Sequence, residues 1–327
     1  MENKNSKLKI IFAGTPEFSS VILDGIIRGS HRPVLVITTP DKPVGREQII
    51  TGSAVKLLAK KYDIPLLQPE EIKTLSCELK SLKPDLIIVT AYGQILSKEI
   101  LEIPKYGCIN LHPSLLPRWR GPSPIQYAIL NGDRKTGVTV ILMDEKIDHG
   151  PILFQREIIV AEDETGKTLY QKLAALGVRL LLETIFQLQR GMIKPRPQEE
   201  KGVTHSKSLT RENGKINWTK TAEEIERQVR AFELWPESFT LWQKADKVFK
   251  IKILKVGVLK SEGSITYPVG KVLFFPENKL CIQCGLGLMP GEGDFLVIER
   301  LQLAGKKEMA AEEFLRGYPN FTGSILK

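Results

Sequence analysis

The chain reads as an α/β protein with a mostly parallel sheet, followed by a small β-barrel domain. Three observations carry this reading. Strand-length apolar runs alternate with helix-period segments through the first 190 residues, the pattern left by successive βαβ units. The run at 85–90, DLIIVT, is apolar on both faces, as a central parallel strand must be. Beyond residue 210 the helical period gives way to short strands separated by glycine turns. The expected division is an α/β domain over 1–190, a linker over 191–209 and a barrel domain over 210–327.

Residues 8–14, LKIIFAG, form a buried strand ending in glycine, and Pro16 opens a helix through about residue 27. Gly14 stands alone where a dinucleotide fingerprint needs three glycines, so no such site is expected. A second strand at 34–38 leads into 39–52, TPDKPVGREQIITG, whose two prolines and two glycines make a long loop. A loop of that length is functional or disordered. A helix near 53–62 follows, and Lys83-Pro84 introduces the 85–90 strand, with AYGQIL (91–96) at its carboxyl end. Strands at 108–112, 136–143 and 152–160 come next, with a helix near 125–130 and a polar turn at 144–150. Apolar side chains at 169, 173, 176, 180, 185 and 188 mark 165–189 as one amphipathic helix. From 191 to 209 no period is visible, and prolines at 195 and 197 suit a semi-rigid linker. The second domain opens with a helix over 222–232 and continues with strands near 238–243, 248–257, 269–275, 280–284 and 294–303.

Hydrophobic content of 42% and charged content of 26% are those of an ordinary globular protein. No apolar run approaches the roughly 20 residues of a membrane span. The charged amino terminus runs straight into a strand and does not read as a signal peptide, so a cytoplasmic protein is expected. Net charge +9 favours a polyanionic partner, although many basic proteins have none. The excess is spread along the chain, with 29 basic and 23 acidic residues in 1–207 and 18 and 15 in 208–327. Cysteines at 77, 108, 281 and 284 give no disulfide framework, and Cys281-x-x-Cys284 lacks the second pair that zinc requires. All four read as reduced packing residues.

The stretch 108–125, CINLHPSLLPRWRGPSPI, holds the chemistry. Its first five residues suit a strand, and strand side chains alternate, so Asn110 and His112 share a face. Pro113 and Pro117 stop the strand and stiffen a loop carrying Arg118, Trp119 and Arg120. A carboxamide beside an imidazole at a strand end, then a basic loop, suits a polarised carbonyl. Taken alone, the pair better suits two polar residues capping a strand.

The string Asn110-Leu111-His112-Pro113-Ser114-Leu115-Leu116-Pro117, then Arg120-Gly121, resembles the signature of the folate-dependent formyltransferase family. Similarity to the tRNA-formylating branch extends from Ile10 to Phe321. That resemblance implies a Rossmann-like first domain, an OB-like barrel, 10-formyltetrahydrofolate as formyl donor and no metal. The acceptor it implies is the α-amino group of charged, methionyl initiator tRNA, and a monomer is expected. Carried over residue by residue, the catalytic set is Asn110, His112 and Asp148. The folate pocket maps to Ala91, Tyr92, Gly93, Gln94, Ile95 and Leu96, with Ser114, Leu115, Leu116, Pro117 and Asp144. The matching insertion at 39–52 wedges against the acceptor end of tRNA in relatives, which makes Lys42 and Arg46 tRNA contacts, with Lys207 in the linker one position before Ser208, where relatives usually carry the lysine. AEEIERQVRAFELWP and AGKKEMAAEEFLRG, in the second domain, point to the tRNA branch, since enzymes acting on small nucleotides generally lack it.

In chemical terms, acyl transfer to an amine needs donors aimed at the developing oxyanion and a route for the amine proton. Asn110 offers N–H donors, His112 a donor or acceptor, and Asp148 a carboxylate to orient His112 and take a proton. No Ser or Cys stands out as a nucleophile, so direct attack by the amine is the simpler course. Asp144, Glu145 and Asp148 also suit a plain turn. In the barrel, Lys244, Lys247, Lys250, Lys252 and Lys255 crowd a stretch whose only acid is Asp246. Lys250 and Lys252 share one strand face, either to meet phosphates or simply to be solvated.

Three departures from the family pattern stand out. Lys146 replaces a glycine in Met143-Asp144-Glu145-Lys146-Ile147-Asp148-His149-Gly150, Leu234 replaces a proline before Trp235, and Glu47-Gln48-Ile49-Ile50 stands where basic residues are usual. Formylation of another amine such as an amino sugar, folate hydrolysis, and folate or nucleic-acid binding without turnover remain competing readings.

Overall fold

The computed structural model describes residues 7–45, 47–260, 267–277, 279–285 and 294–327. Its elements in order are β1 (Ile10–Gly14), α1 (Glu17–Arg28), β2 (Leu35–Ile37), β3 (Lys42–Val44), β4 (Ile49–Thr51), α2 (Ala54–Lys61), β5 (Leu66–Leu67), α3 (Ser76–Leu82) and β6 (Leu86–Thr90). Then come α4 (Lys98–Leu101), β7 (Cys108–His112), α5 (Pro124–Leu130), β8 (Lys135–Leu142), β9 (Ile152–Ile159) and α6 (Gly166–Gln189). The last part holds α7 (Ala222–Ala231), β10 (Phe239–Lys244), β11 (Lys247–Leu259), β12 (Val272–Phe275), β13 (Lys279–Gln283), β14 (Phe295–Leu303), β15 (Met309–Ala310) and α8 (Ala311–Gly317). Contacts divide the chain into two units. One holds the residues through Pro124 with Lys135–Ile159 and Tyr170–Lys207, and the other Ile125–Arg134, Val160–Leu169 and Ser208–Lys327.

The first unit is built on a seven-stranded sheet in the order β5-β2-β1-β6-β7-β8-β9. Its strands from β5 to β7 are parallel, and β8 and β9 join antiparallel. Every residue of β1 and β6 is buried, which is why both read as unbroken apolar runs. Each large aliphatic side chain hidden there contributes about 1.5–3 kcal/mol of burial energy. After β1 the chain winds outward through β2 and β5, then crosses back to β6 on the other side of β1. Ligand crevices in such sheets open beyond the carboxyl ends of the two strands flanking that reversal, here β1 and β6.

The loop expected over 39–52 contains a small hairpin, β3 against β4, with Lys42 opposite Thr51 and Val44 opposite Ile49. Three-residue strands interrupted by Pro43 and Gly45 leave too little alternation for sequence patterning to reveal. Ser53 caps α2 by accepting the Lys56 N–H at 3.0 Å.

The second unit is an antiparallel sheet, β10-β11-β14-β13-β12, with β15 added beside β14. It curls into a half-barrel whose two edge strands are bridged by the carboxyl-terminal tail. Leu241 of β10 exchanges both backbone hydrogen bonds with Lys327 at 3.0 Å, and Val272 of β12 pairs with Ser324 and Gly323 at 2.9 Å. Inside, Trp242 meets Phe249, Phe314, Tyr318 and Phe321. Helix α7 begins with a reciprocal capping box between Thr221 and Glu224. Among the described residues no helix is long and apolar enough to cross a membrane.

Candidate active site

Alternation along β7 turns Asn110 and His112 to one face, where both meet Asp148. Asn110 Nδ2 donates to Asp148 Oδ1 at 3.0 Å. His112 Nδ1 lies 3.5 Å from Asp148 Oδ2, and that oxygen accepts the Gly121 N–H at 2.8 Å. His112 Nε2 is 2.9 Å from the carbonyl oxygen of Trp119. A carbonyl can only accept, so Nε2 carries a hydrogen and Nδ1 is the nitrogen turned to the carboxylate. Both side chains are well shielded, His112 at 6% and Asp148 at 11% exposure, while Asn110 is half-buried.

Backbone strain gathers at this point. Trp119 (φ 59°) and Asp148 (φ 50°) occupy the left-handed region, which a residue with a β-carbon enters only when its surroundings hold it there. Gly121 (φ 109°) passes so close to the 196–206 segment that a β-carbon would stand 2.4 Å from the Ser206 carbonyl oxygen. The aspartate loop is closed at its neck by a second glycine. A β-carbon on Gly150 would lie 1.8 Å from the Leu142 carbonyl oxygen.

Because β8 is antiparallel, this loop leaves beside the amino end of β7, with the Met143 N–H on the Cys108 carbonyl at 2.8 Å. The general rule of carboxyl-end sites places Asp148 with the other groups at the far end. Instead it reaches Asn110 by folding back over the strand. Asp144 organises the turn, accepting from the Lys146 N–H at 3.0 Å and facing His149 Nδ1 at 2.6 Å. The left-handed non-glycine residue of the loop is Asp148, so Lys146 in place of glycine meets no such demand.

The loop after β7 is pinned from two sides. Ser114 Oγ donates to the Arg118 carbonyl, and Thr139 Oγ1 of β8 to the Ser114 carbonyl, both at 2.6 Å. The Leu116 N–H reaches Thr139 Oγ1 at 3.2 Å, and Gln155 of β9 holds the Leu116 carbonyl at 2.9 Å. Leu115 is half-buried, Leu116 packs on Ile141 and Ile152, and the Leu116–Pro117 peptide is cis. From the other side comes the aperiodic segment expected as a linker. Thr204 Oγ1 accepts the Trp119 N–H at 2.9 Å, and Ser206 Oγ accepts the Ser123 N–H at 3.1 Å. Up to Lys207 this segment is therefore fastened to the α/β unit, by bonds that leave no periodicity in sequence.

Comparison with known proteins follows the same two-part division. The formyl transferase family model matches residues 7–185, and the model of the formyl transferase C-terminal domain matches 208–319. The methionyl-tRNA formyltransferase of Agathobacter rectalis is 41% identical over 313 residues, 95% of this chain and 96% of the relative. That of Enterococcus faecalis is 42% identical over 94% of this chain and 96% of its own length. The chain belongs to the methionyl-tRNA formyltransferase family. Two solved structures share the fold at lower identity. One is the Helicobacter canadensis N-formyltransferase in complex with folinic acid and dTDP-3-aminofucose (TM-score 0.63, 23% identity, 89% of this chain and 99% of that one). The other is HypX of Aquifex aeolicus with tetrahydrofolic acid (TM-score 0.59, 20% identity, 95% of this chain and 47% of that one).

Enzymes of the formyltransferase family are folate-dependent, and the segment at the β6 end suits a polar ligand. Tyr92 Oη and Thr90 Oγ1 are buried with no hydrogen-bond partner, and a β-carbon on Gly93 (φ 88°) would meet open space. Burial pushes the Tyr92 phenol up to about 12, which keeps it neutral and able to donate. Ala91 is exposed and left-handed (φ 43°), and Ile95 is exposed. Three residues of this stretch serve the fold as found. Gln94 ties down 69–72 through Ile72 N, Pro69 O and Glu70 O, and Tyr92 and Leu96 both sit in the apolar core.

Lys42 is exposed on β3, Lys207 is exposed, and Arg46 lies outside the described residues. Ile49 and Ile50, 59% and 72% exposed, do not anchor the hairpin. Asp41 does, through Lys56 Nζ at 2.5 Å and Gln68 Nε2 at 2.8 Å. In the half-barrel, Lys250 Nζ sits 3.4 Å from the Phe239 ring centroid and Lys252 Nζ 2.5 Å from Glu237 Oε2. Cys108, Cys281 and Cys284 are buried, but Cys77 is exposed on α3 and does not pack.

Proposed function

We propose that this chain transfers a formyl group from 10-formyltetrahydrofolate to the α-amino group of methionyl initiator tRNA. Identity near 41% with formyltransferases of that name over almost the whole chain supports the acceptor. The observation that carries the chemistry is the meeting of Asn110, His112 and Asp148 around one carboxylate.

The folate would be held by the backbone of 91–96 above the buried Tyr92 ring, by 114–117 and by the Asp144 turn, and when bound it supplies an activated formyl carbon. Asn110 spends one amide hydrogen on Asp148, which sets the plane of its carboxamide. Its second N–H is left to meet a carbonyl oxygen that gains charge in the transition state. Asp148 stands where it can take the proton of an attacking amine, directly or through water. His112 Nδ1 faces the same carboxylate oxygen, so a proton taken up by Asp148 can be shared with the imidazole and returned to a leaving nitrogen. Cys108 is no rival nucleophile, because burial pushes its thiol up to about 12. Direct attack needs no covalent enzyme intermediate. Lys42, Arg46, Lys207, Lys250 and Lys252 supply positive charge for the tRNA backbone.

The test is a formyl-transfer assay with 10-formyltetrahydrofolate and charged initiator tRNA, run beside free methionine and an amino-sugar nucleotide. Transfer to the tRNA alone is expected. Transfer to the sugar and not to tRNA, or loss of formyl to water at an equal rate without acceptor, would reject the reading.

A further inference from the structure

We propose that Gln198 is a positioning residue for Asp148, acting from the segment that follows α6. The proposal deepens the formyl-transfer reading above and rests on it for its kinetic arm. The carboxamide of Gln198 is bonded at both ends. Oε1 accepts from Arg120 Nε at 3.1 Å and Nη2 at 2.9 Å, and Nε2 donates to the carbonyls of Asp148 at 2.8 Å and Gly150 at 2.9 Å. The amide can sit only one way round, since a guanidinium offers hydrogens and two carbonyls offer none.

Asp148 has need of such a hold. Its backbone is left-handed, and its two carboxylate oxygens take hydrogen bonds from Asn110 and Gly121. Gln198 grips the remaining oxygen of that residue, the backbone carbonyl, together with the neck of its loop. Arg120 gives the grip a fixed base. It is 6% exposed, and its own N–H and C=O are taken by Thr204 O at 2.9 Å and Ser206 N at 2.7 Å. One side chain thus ties the loop carrying Trp119 to the loop carrying Asp148. Free rotation of Asp148 out of its strained backbone would move its carboxylate away from Asn110 and His112.

The discriminating variant is Gln198→Glu. It keeps an acceptor for Arg120 and adds an opposite charge, yet has no hydrogen for the two carbonyls. The expected result is a melting temperature within a few degrees of the wild type, the stronger pairing with Arg120 offsetting the two lost donor bonds, and KM values for folate and tRNA within about 2-fold. The kcat should fall by roughly 10- to 100-fold, the scale for a catalytic group displaced by about 1 Å. In an Asp148→Asn background the same change should cost less than about 2-fold, because there is no longer a proton-accepting carboxylate to place. Hydrogen exchange of the 143–150 amides, expected to quicken in Gln198→Glu, reads the same hold without any turnover. An inactive wild type would reject the proposed function and leave the exchange arm to judge this one. Wild-type kcat with unchanged exchange overturns the proposal. So does an equal loss in both backgrounds, or a melting temperature that falls in step with kcat.

Discussion

Asn110 Nδ2 donates to Asp148 Oδ1 across 3.0 Å, so the proposed oxyanion donor and the proposed proton acceptor form one hydrogen-bonded unit. Removing either disturbs the other. Asn110→Ala is expected to cost about 2.7–4 kcal/mol of transition-state stabilisation, as for other oxyanion donors. His112→Ala and Asp148→Ala should be at least as damaging, with folate affinity largely kept. The double variant Asn110→Ala/Asp148→Asn should then fall little below the worse single one, because the two act together. Single-turnover rates check this. Losses that simply add, or near-normal turnover in Asp148→Asn, would contradict it.

The β3–β4 hairpin projects Ile49 and Ile50 into solvent from a base held by Asp41. Lys42→Ala and Arg46→Ala are expected to impair formylation of tRNA and spare folate binding, Arg46 more so because its planar fork suits bidentate contacts. Ile50→Ser should change stability by no more than about 0.5 kcal/mol, since the side chain is 72% exposed. A fall in kcat/KM for tRNA at unchanged Tm would assign Ile50 to the acceptor stem. Gln68, then Lys56, holds the Asp41 carboxyl below its usual range. A depressed carboxyl stabilises above its unfolded value and loses that effect as pH falls through its folded one. Proteolysis of the hairpin should therefore rise only in acid, and a rise between pH 6 and 8 would count against Asp41 as the anchor.

Part of the lysine cluster in the barrel is already paired within the protein. Lys252 pairs with Glu237 and Lys255 with Glu299 at 2.7 Å. If this face meets phosphates, Lys250→Ala should flatten the salt dependence of tRNA binding by about one unit of slope. Glu237→Gln should tighten tRNA binding at low salt by freeing Lys252. Binding titrations from low to moderate salt decide the matter, and slopes identical to wild type would move the tRNA elsewhere.

Thiol chemistry should sort the four cysteines. Burial pushes Cys108 and Cys284 up to about 12 and Cys281 up to about 11, so their thiolates are scarce at pH 8. Cys77 is exposed. A disulfide reagent should label the native protein at Cys77 alone and all four cysteines after denaturation. Fast labelling of Cys108 in the native state would mean that β7 is open to solvent.

Much of the fold was legible in advance because its signals are local. The unbroken apolar runs of β1 and β6 announce a buried parallel sheet, and the stripe on α6 announces a packed helix. The extents expected for β7 and α7 match the structure to within a residue. Weak local signals hid the rest. Strand β5 has two residues and β3 three, too short for any period.

The sequence by itself determined which residue types stand at the site, since alternation along one strand brings Asn110 and His112 to one face and the motif names their kin. What only the tertiary structure decided is who holds them. The Trp119 N–H finds Thr204 85 residues away, the Gly121 N–H finds Asp148 27 away, and Gln198 reaches the Asp148 carbonyl from 50 away. Backbone N–H and C=O groups are the same at nearly every position, so a bond between two of them, or from one to a distant side chain, leaves no trace in the pattern of either segment. Such a bond exists only because the antiparallel turn into β8 and the return of 196–206 bring the partners within 3 Å of one another.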